Sequence, residues 1–132
     1  MQPQLDHMMV PSRNKVAGAK LLGELLGVPW APTGIGPFAP VYVNDGLTLD
    51  FDQWAEPLPQ IHYCFRVTDA EFDAILARLQ AARIDFRSTV HGPVDHQVDT
   101  QHGGRIVYWN EPDNHQWEML TVRYDVQPQR RT

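Results

Sequence analysis

The predicted order of strands and helices occurs twice along the chain, and this duplication constrains the fold more than any other feature. In the first half, a short apolar run at residues 5–10 (LDHMMV) predicts a strand, and Ser12 is positioned to cap a helix predicted over residues 13–26. A less regular strand is expected around residues 28–31. Two further strands follow, joined by an Asp-Gly pair that is typical of a tight hairpin turn. The first half therefore has the order β-α-β-β-β.

The second half repeats this order. Residues 61–67 (IHYCFRV) predict a strand, and Thr68 with Glu71 three residues later forms a capping box at the start of a helix. That helix places four apolar side chains on one stripe, namely Phe72, Ile75, Leu76 and Leu79. Strands are then predicted at residues 84–88, 105–109 and 117–122. The two halves together indicate an internal duplication.

Length and composition indicate one folded domain. The chain has 132 residues and a mass of 15.1 kDa, close to the usual size of a single domain. Hydrophobic residues make up 42% and charged residues 20%, which argues against a disordered chain. We expect a single domain over residues 1–126, with a first module at 4–54, a second at 60–124, and a loose tail at 127–132.

Charge and cysteine content exclude several classes of partner. With 11 basic and 16 acidic residues the net charge is −5, and this argues against binding to nucleic acid or to an anionic membrane surface. No apolar run approaches the ~20 residues needed to span a bilayer, and the N-terminal residues lack the pattern of a signal peptide. Cys64 is the only cysteine, so no internal disulfide forms. A cytoplasmic location is expected.

Alternation of side chains along the strands predicts a polar face opposite the helices. On the strand at residues 61–67, the helix-facing side chains are expected to be Tyr63, Phe65 and Val67. The opposite face then carries His62, Cys64 and Arg66. The same alternation places Glu118 of the last strand and His7 of the first strand on this polar face.

His7 and His62 lie 55 residues apart, each in the first strand of its half. A pseudo-twofold relation between the halves would bring the two imidazoles together. Two neutral imidazoles and one carboxylate are a ligand set that divalent first-row metals accept while keeping positions open for substrate. A single strand histidine is more often a surface group, but the symmetric placement favours joint ligation by His7, His62 and Glu118.

The residues from LDHMMVPSRNKVAGAKLLGELLG to GGRIVYWNEPDNHQWEML resemble the vicinal oxygen chelate superfamily, which includes glyoxalases, extradiol dioxygenases, fosfomycin-modifying transferases and bleomycin-binding proteins. The resemblance implies an α+β fold in which two β-α-β-β-β modules form a cupped mixed sheet, with helices on the outer face. It also implies a divalent metal ion held by His7, His62 and Glu118, and a homodimer.

Residues 101–118 are similar to the extradiol dioxygenase signature. The matching parts are His102, Val107-Tyr108, Glu111-Pro112 and Glu118. Two departures are a gap after His102 that is one residue shorter and an Asn114 in place of Gly or Pro. The resemblance implies that Tyr108 hydrogen-bonds a metal-bound substrate oxygen, although an aromatic residue that packs the sheet is an equal reading. His102, with His91 and His96 in the same polar segment, is either a general acid/base or a surface histidine.

Three further residues are candidate substrate contacts. Asp50, in the strand LTLDFDQ, is a fourth metal ligand, an acceptor for an imidazole N–H, or a solvated acid at the strand edge. Cys64 and Arg66 follow His62 on the polar face, where Cys64 lines the cavity or acts as a small apolar filler. His115 is expected to be only a turn residue.

The leading functional prediction is a metal-dependent, dioxygenase-type enzyme for a small substrate that chelates the ion through neighbouring oxygens, with Tyr108 and His102 as auxiliary groups. One alternative is a glyoxalase-like isomerase or lyase with Asp50 or Glu118 as base. Another is a small-molecule binding protein of the bleomycin-resistance type without catalysis. The ligand types do not decide which metal binds, and Fe2+, Mn2+, Zn2+ and Ni2+ all remain candidates.

Overall fold

The structure is a computed structural model that describes residues 2–123. The chain forms two compact units. Unit 1 contains the residues up to Gln60 together with Pro112–His115, and unit 2 contains Ile61–Glu111 and the described residues from Gln116 onward. The predicted loose tail at 127–132 lies outside the described residues. Among those residues, no helix is long and apolar enough to cross a membrane.

Unit 1 is a three-stranded sheet with one helix. Its elements are β1 (His7–Ser12), α1 (Lys15–Leu26), β2 (Ala39–Asn44) and β3 (Leu47–Gln53). The strand order is β1-β3-β2, with β1 parallel and β2 antiparallel to β3. The predicted hairpin is confirmed, because Asp45 and Gly46 connect β2 to β3. The buried apolar side chains of this unit include Val10, Leu22, Leu25, Val41, Leu49 and Phe51.

The start of α1 differs from the sequence prediction. Ser12 is the last residue of β1, and Asn14 caps the helix by accepting a hydrogen bond from the N–H of Ala17 at 3.1 Å. The predicted cap at Ser12 was wrong, because the hydroxyl of Ser12 is buried and donates to Asp113 instead. The helix ends as predicted at Gly27, whose φ of 71° is a conformation that favours glycine.

The strand expected around residues 28–31 does not form. Trp30 makes only an isolated bridge with Val41. The N–H of Ala31 and the carbonyl of Pro29 still hydrogen-bond to β2, at 3.0 Å and 2.9 Å. A longer ladder is blocked because Pro29 has no N–H to donate.

Unit 2 has the predicted order β-α-β-β-β. Its elements are β4 (His62–Arg66), α2 (Asp69–Ala81), β5 (Phe86–Arg87), β6 (Ile106–Asn110) and β7 (Gln116–Leu120). The strand order is β4-β7-β6-β5, with β4 parallel to β7 and the other pairs antiparallel. The capping box is confirmed: Glu71 N–H donates to the Thr68 hydroxyl at 3.1 Å, and Thr68 N–H donates to the Glu71 carboxylate at 2.8 Å. Residues 2–123 are thus α+β with two mixed sheets and two helices.

The sheet of unit 2 has an apolar face and a polar face. On the apolar face, Tyr63 stacks on Trp117 with ring centroids 4.4 Å apart, and Phe65 stacks on the same ring at 5.9 Å. The helix contributes buried Phe72, Ile75 and Leu79 to the apolar interior. The opposite face of β4 carries exposed His62, Cys64 and Arg66. The predicted alternation along β4 is therefore confirmed.

Candidate metal and substrate site

Glu118 lies at the centre of the polar face of unit 2. It is on β7, a central strand, and the sheet register pairs it with Cys64 on β4 and with Tyr108 on β6. Directly opposed residues on neighbouring strands project to the same side of a sheet. His62 precedes Cys64 by two residues and shares that side. We refer to His62, Cys64, Tyr108 and Glu118 as the Glu118 cluster.

Short contacts join the members of the Glu118 cluster. His62 Nε2 lies 2.9 Å from Glu118 Oε1, and the side chains are 41% and 8% exposed, respectively. Tyr108 and Cys64 lie directly opposite Glu118 on the two flanking strands. The rings of His62 and Tyr108 are 6.4 Å apart between centroids. One imidazole thus contacts a nearly buried carboxylate, with a tyrosine and a cysteine on either side of it.

The same surroundings keep two members of the cluster protonated. Burial, followed by the charge of Glu118, raises the pKa of Tyr108 to about 12. Burial and Glu118 also raise the pKa of the Cys64 thiol to about 12, although part of the residue is exposed to solvent. Both groups are therefore hydrogen-bond donors near neutral pH, and Cys64 is not a thiolate nucleophile there.

His7 lies at the start of β1 in unit 1. Its Nδ1 is 2.9 Å from Asp6 Oδ2, and its side chain is 65% exposed. This hydrogen bond, opposed by a small desolvation, raises the pKa of His7, and Asp50 adds a further attraction. A carboxylate on Nδ1 leaves Nε2 available to another group, and the same arrangement is usual around a metal-bound histidine.

Unit 1 has a cavity of about 280 Å³ beside His7. Asp50 contributes to its polar wall, and burial raises the pKa of this carboxyl while His7 lowers it. The register places Asp50 between Met9 of β1 and Pro40 of β2. Asp50 is therefore a cavity residue, while its predicted contact with substrate stays a prediction.

Among residues 2–123, no group of three or more His, Cys, Asp and Glu side chains is arranged to hold a metal ion. The structure brings His62 and Glu118 together as a pair, and the set of His7, His62 and Glu118 stays a prediction. The pair offers donor types that divalent metals accept, since an imidazole nitrogen and a carboxylate oxygen lie 2.9 Å apart.

The predicted acid/base residue His102 lies on an exposed turn. Its Nδ1 is 3.0 Å from Asp99 Oδ2, and its side chain is 65% exposed. His96 forms a similar contact with Asp85 at 3.1 Å, and its ring lies edge-on to Phe86 at 5.0 Å. These contacts order the histidine-rich segment, and a catalytic role for His102 stays a prediction.

Arg66 is an exposed residue at the end of β4, opposite Leu120 of β7. It lies on the same face as Cys64, which belongs to the Glu118 cluster. Substrate binding by Cys64 and Arg66 stays a prediction.

Sequence reasoning missed a buried polar group in unit 1. His115 is fully buried, and its Nε2 donates to the carbonyl of Pro11 at 2.7 Å, so the expectation that it is only a turn residue was wrong. Asp113, 8% exposed, accepts from the hydroxyl of buried Ser12 at 2.6 Å. The partners are about a hundred residues apart, and no local pattern links them. By contrast, Asp6 directly precedes His7, so the sequence could have predicted Asp6 as the partner of His7.

Comparisons with known proteins place the chain in a family through solved structures. No family model matches the chain, and no curated protein matches it. It is 35% identical to "Oxidase ChaP-H1", with a TM-score of 0.88, over 95% of this chain and 100% of that chain. It is 31% identical to "Oxidase ChaP-H2", with a TM-score of 0.88, over 95% of this chain and 98% of the other.

A third match shows the fold at low identity. A mutant of the fosfomycin resistance protein FosX from Listeria monocytogenes, complexed with Mn(II) and 1S,2S-dihydroxypropylphosphonic acid, is 15% identical. The TM-score is 0.70, over 95% of this chain and 94% of that chain. The duplicated topology and these matches lead to one conclusion: the chain belongs to the family of the ChaP-H1 and ChaP-H2 oxidases, and it has the fold of the vicinal oxygen chelate superfamily.

Proposed function

We propose that this vicinal oxygen chelate protein is a metal-dependent, dioxygenase-type enzyme for a small substrate that presents two neighbouring oxygens. The observation that carries the proposal is the Glu118 cluster, in which a carboxylate 8% exposed lies 2.9 Å from an imidazole and directly opposite Tyr108 in the sheet. A nearly buried carboxylate is costly unless it is paired or binds a cation. The two oxidase relatives, at 35% and 31% identity, support the oxygenase class.

The donor set consists of His7, His62 and Glu118. All three offer the imidazole nitrogen and carboxylate oxygen atoms that Fe2+, Mn2+, Zn2+ and Ni2+ accept. A divalent ion held by them supplies Lewis acidity toward substrate oxygens. Asp6 holds His7 by its Nδ1, so the Nε2 atom is the one presented.

Tyr108 orients the substrate. Tyr108 lies directly opposite Glu118 on the neighbouring strand, and its raised pKa keeps the hydroxyl protonated near neutral pH. When substrate oxygens are present, the same hydroxyl can donate to one of them, because a hydroxyl rotates to suit its acceptor. His102, paired with Asp99 on an exposed turn, serves as the acid/base group that exchanges protons with solvent.

We also infer a homodimer, since strand β1 leaves apolar side chains uncovered: Met9 is 41% exposed, and Leu5 just before the strand is 65% exposed. Light scattering after size exclusion tests this inference, and a monomer mass would contradict it. A cytoplasmic location stays a prediction from the single cysteine and the N-terminal sequence.

Metal analysis tests the donor set. The parent protein is purified without added metal, titrated with Fe2+ or Mn2+, and compared with His7→Ala, His62→Ala and Glu118→Ala. His91→Ala is the matched control, because His91 is an exposed histidine outside the donor set. We expect one ion per chain in the parent and the control and a large loss of affinity in each of the other three. Equal metal content in all variants would refute the donor set.

Oxygen consumption tests the reaction class. With Fe2+ and a panel of aromatic diols, we expect oxygen uptake that Tyr108→Phe reduces by about 10²-fold, the lower end for a positioned donor. Absence of uptake with every diol, together with turnover of a hemithioacetal, would support the isomerase alternative. Tight ligand binding without turnover or metal dependence would support a binding protein.

A further inference from the structure

The unit 1 cavity is large enough for more than one aromatic ring. Its volume is about 280 Å³. An apolar protein cavity of about 150 Å³ holds one benzene molecule. The unit 1 cavity is roughly twice that size, which corresponds to two fused six-membered rings.

The wall of the cavity that can contact a ring is apolar. It is formed by Ile35, Phe38, Pro40 and Tyr42. Ile35 is 95% exposed and Tyr42 is 44% exposed, so this wall leaves large apolar side chains in water. Apolar side chains that surround a concave surface and remain uncovered are typical of a ligand site.

The polar side of the cavity is acidic. It is formed by Asp6, His7, Thr48 and Asp50, and no lysine or arginine lines the cavity in the described part of the chain. The two carboxylates outnumber the single imidazole even when that imidazole is charged. A carboxylate accepts hydrogen bonds from hydroxyl groups and repels anions. Without a metal ion on His7, the lining therefore fits an uncharged hydroxylated ligand and opposes a carboxylate or phosphonate.

We propose that the unit 1 cavity binds the rings of a hydroxylated two-ring aromatic substrate, with Ile35, Phe38 and Tyr42 covering the rings and Asp50 accepting from a hydroxyl. This inference rests on the proposed function, because it names the substrate class of the proposed enzyme. Ring binding at the cavity does not itself require a metal ion.

The test measures ring binding apart from metal binding. Isothermal titration of the full chain uses 2-naphthol, which has one hydroxyl and cannot chelate, with the protein metal-loaded and chelator-treated. Three comparison probes test ring number, the hydroxyl donor and charge. Phenol has one ring, 2-methoxynaphthalene lacks the hydroxyl donor, and 2-naphthoate carries a negative charge. We expect 2-naphthol to bind in both states and, in the chelator-treated protein, each comparison probe to bind about tenfold more weakly.

Variants locate the binding. Asp50→Leu is expected to weaken the binding of 2-naphthol about tenfold and to leave the binding of 2-methoxynaphthalene unchanged, because the ether has no proton to donate. Ile35→Ala is expected to weaken the binding of both compounds by about five- to tenfold, since the apolar area that they bury is lost. Val94→Ala is the matched control, because Val94 is 51% exposed and lies outside the cavity. Ile35 is so exposed that its replacement leaves the fold intact.

Equal affinities for all four probes, or a 2-naphthol affinity unaffected by both Asp50→Leu and Ile35→Ala, would overturn the inference. Glu118→Ala separates this result from the proposed function. Retained 2-naphthol binding in that variant supports the cavity even where metal analysis or oxygen uptake fails. Loss of 2-naphthol binding in Glu118→Ala would place the ligand outside unit 1 and overturn the inference.

Discussion

Asp113→Ala removes the buried acceptor that holds the segment Pro112–His115 to the rest of unit 1. Asp113 Oδ2 accepts from the hydroxyl of Ser12 at 2.6 Å, and Oδ1 accepts from the N–H of Arg13 at 3.0 Å. Asp113 is 8% exposed and Ser12 is fully buried. The two partners are 101 residues apart in sequence, so these bonds tie the segment Pro112–His115 to the end of β1. Loss of this acceptor should therefore weaken the whole unit.

The magnitude follows from the groups left without partners. A hydrogen bond to a charged group contributes about 1.5–3 kcal/mol, and an unsatisfied buried donor costs about 1–3 kcal/mol. The alanine variant no longer buries a charge, which offsets part of this loss. The 3.7 Å contact with the Arg13 guanidinium adds little, because that side chain is 41% exposed. We expect the free energy of unfolding to fall by about 2–4 kcal/mol.

The assay is equilibrium urea unfolding, followed by tryptophan fluorescence and by circular dichroism. Glu24→Ala is the matched control, because Glu24 is an exposed acid on α1, and we expect it to change stability by under about 0.5 kcal/mol. A double-mutant cycle with Ser12→Ala should give a combined loss about 1 kcal/mol or more smaller than the sum of the single losses. A loss under about 1 kcal/mol for Asp113→Ala, or strict additivity with Ser12→Ala, would refute the reasoning.

Three further predictions concern other parts of the fold. Gly18→Ala should destabilise the chain by about 1–2 kcal/mol in urea unfolding, because the new Cβ would lie 2.8 Å from the buried ring of Phe51; stabilisation would contradict this. His115→Ala should cost about 2–4 kcal/mol in the same assay, since a cavity and an unpaired carbonyl remain. The Ser88 hydroxyl, 2.5 Å from Asp95, lowers the pKa of that carboxyl below its ordinary 3.8. This stabilisation should persist above that value and disappear as the pH falls through the lowered pKa; Ser88→Ala should return the pKa, measured by NMR titration, toward 3.8.

Local signals predicted much of the fold. The Thr68–Glu71 capping box and the Asp45-Gly46 hairpin were confirmed because each depends on residues only one to three positions apart. The cap of α1 was misplaced by two residues, and the strand at residues 28–31 was overpredicted. In both cases a tertiary contact or a proline overrode a weak local preference.

The sequence also predicted only part of the candidate site. Alternation along β4 was sufficient to put His62 and Cys64 on the polar face, since a strand has a fixed period of two. The pairing of Glu118 with Cys64 and Tyr108 depends on the register between three strands. Register follows from how whole strands bury their apolar faces, which no single strand encodes.

The amino-acid sequence by itself determined the duplicated order of elements, the helix caps at their approximate positions, and which side of each strand is polar. Only the tertiary structure decided that Glu118 contacts His62 and lies between Cys64 and Tyr108, that Asp113 and His115 are buried anchors, and that a cavity opens beside His7. The reason is physical: propensity and periodicity act over a few residues, whereas burial and hydrogen-bond pairing join groups that are about 50 to 100 residues apart.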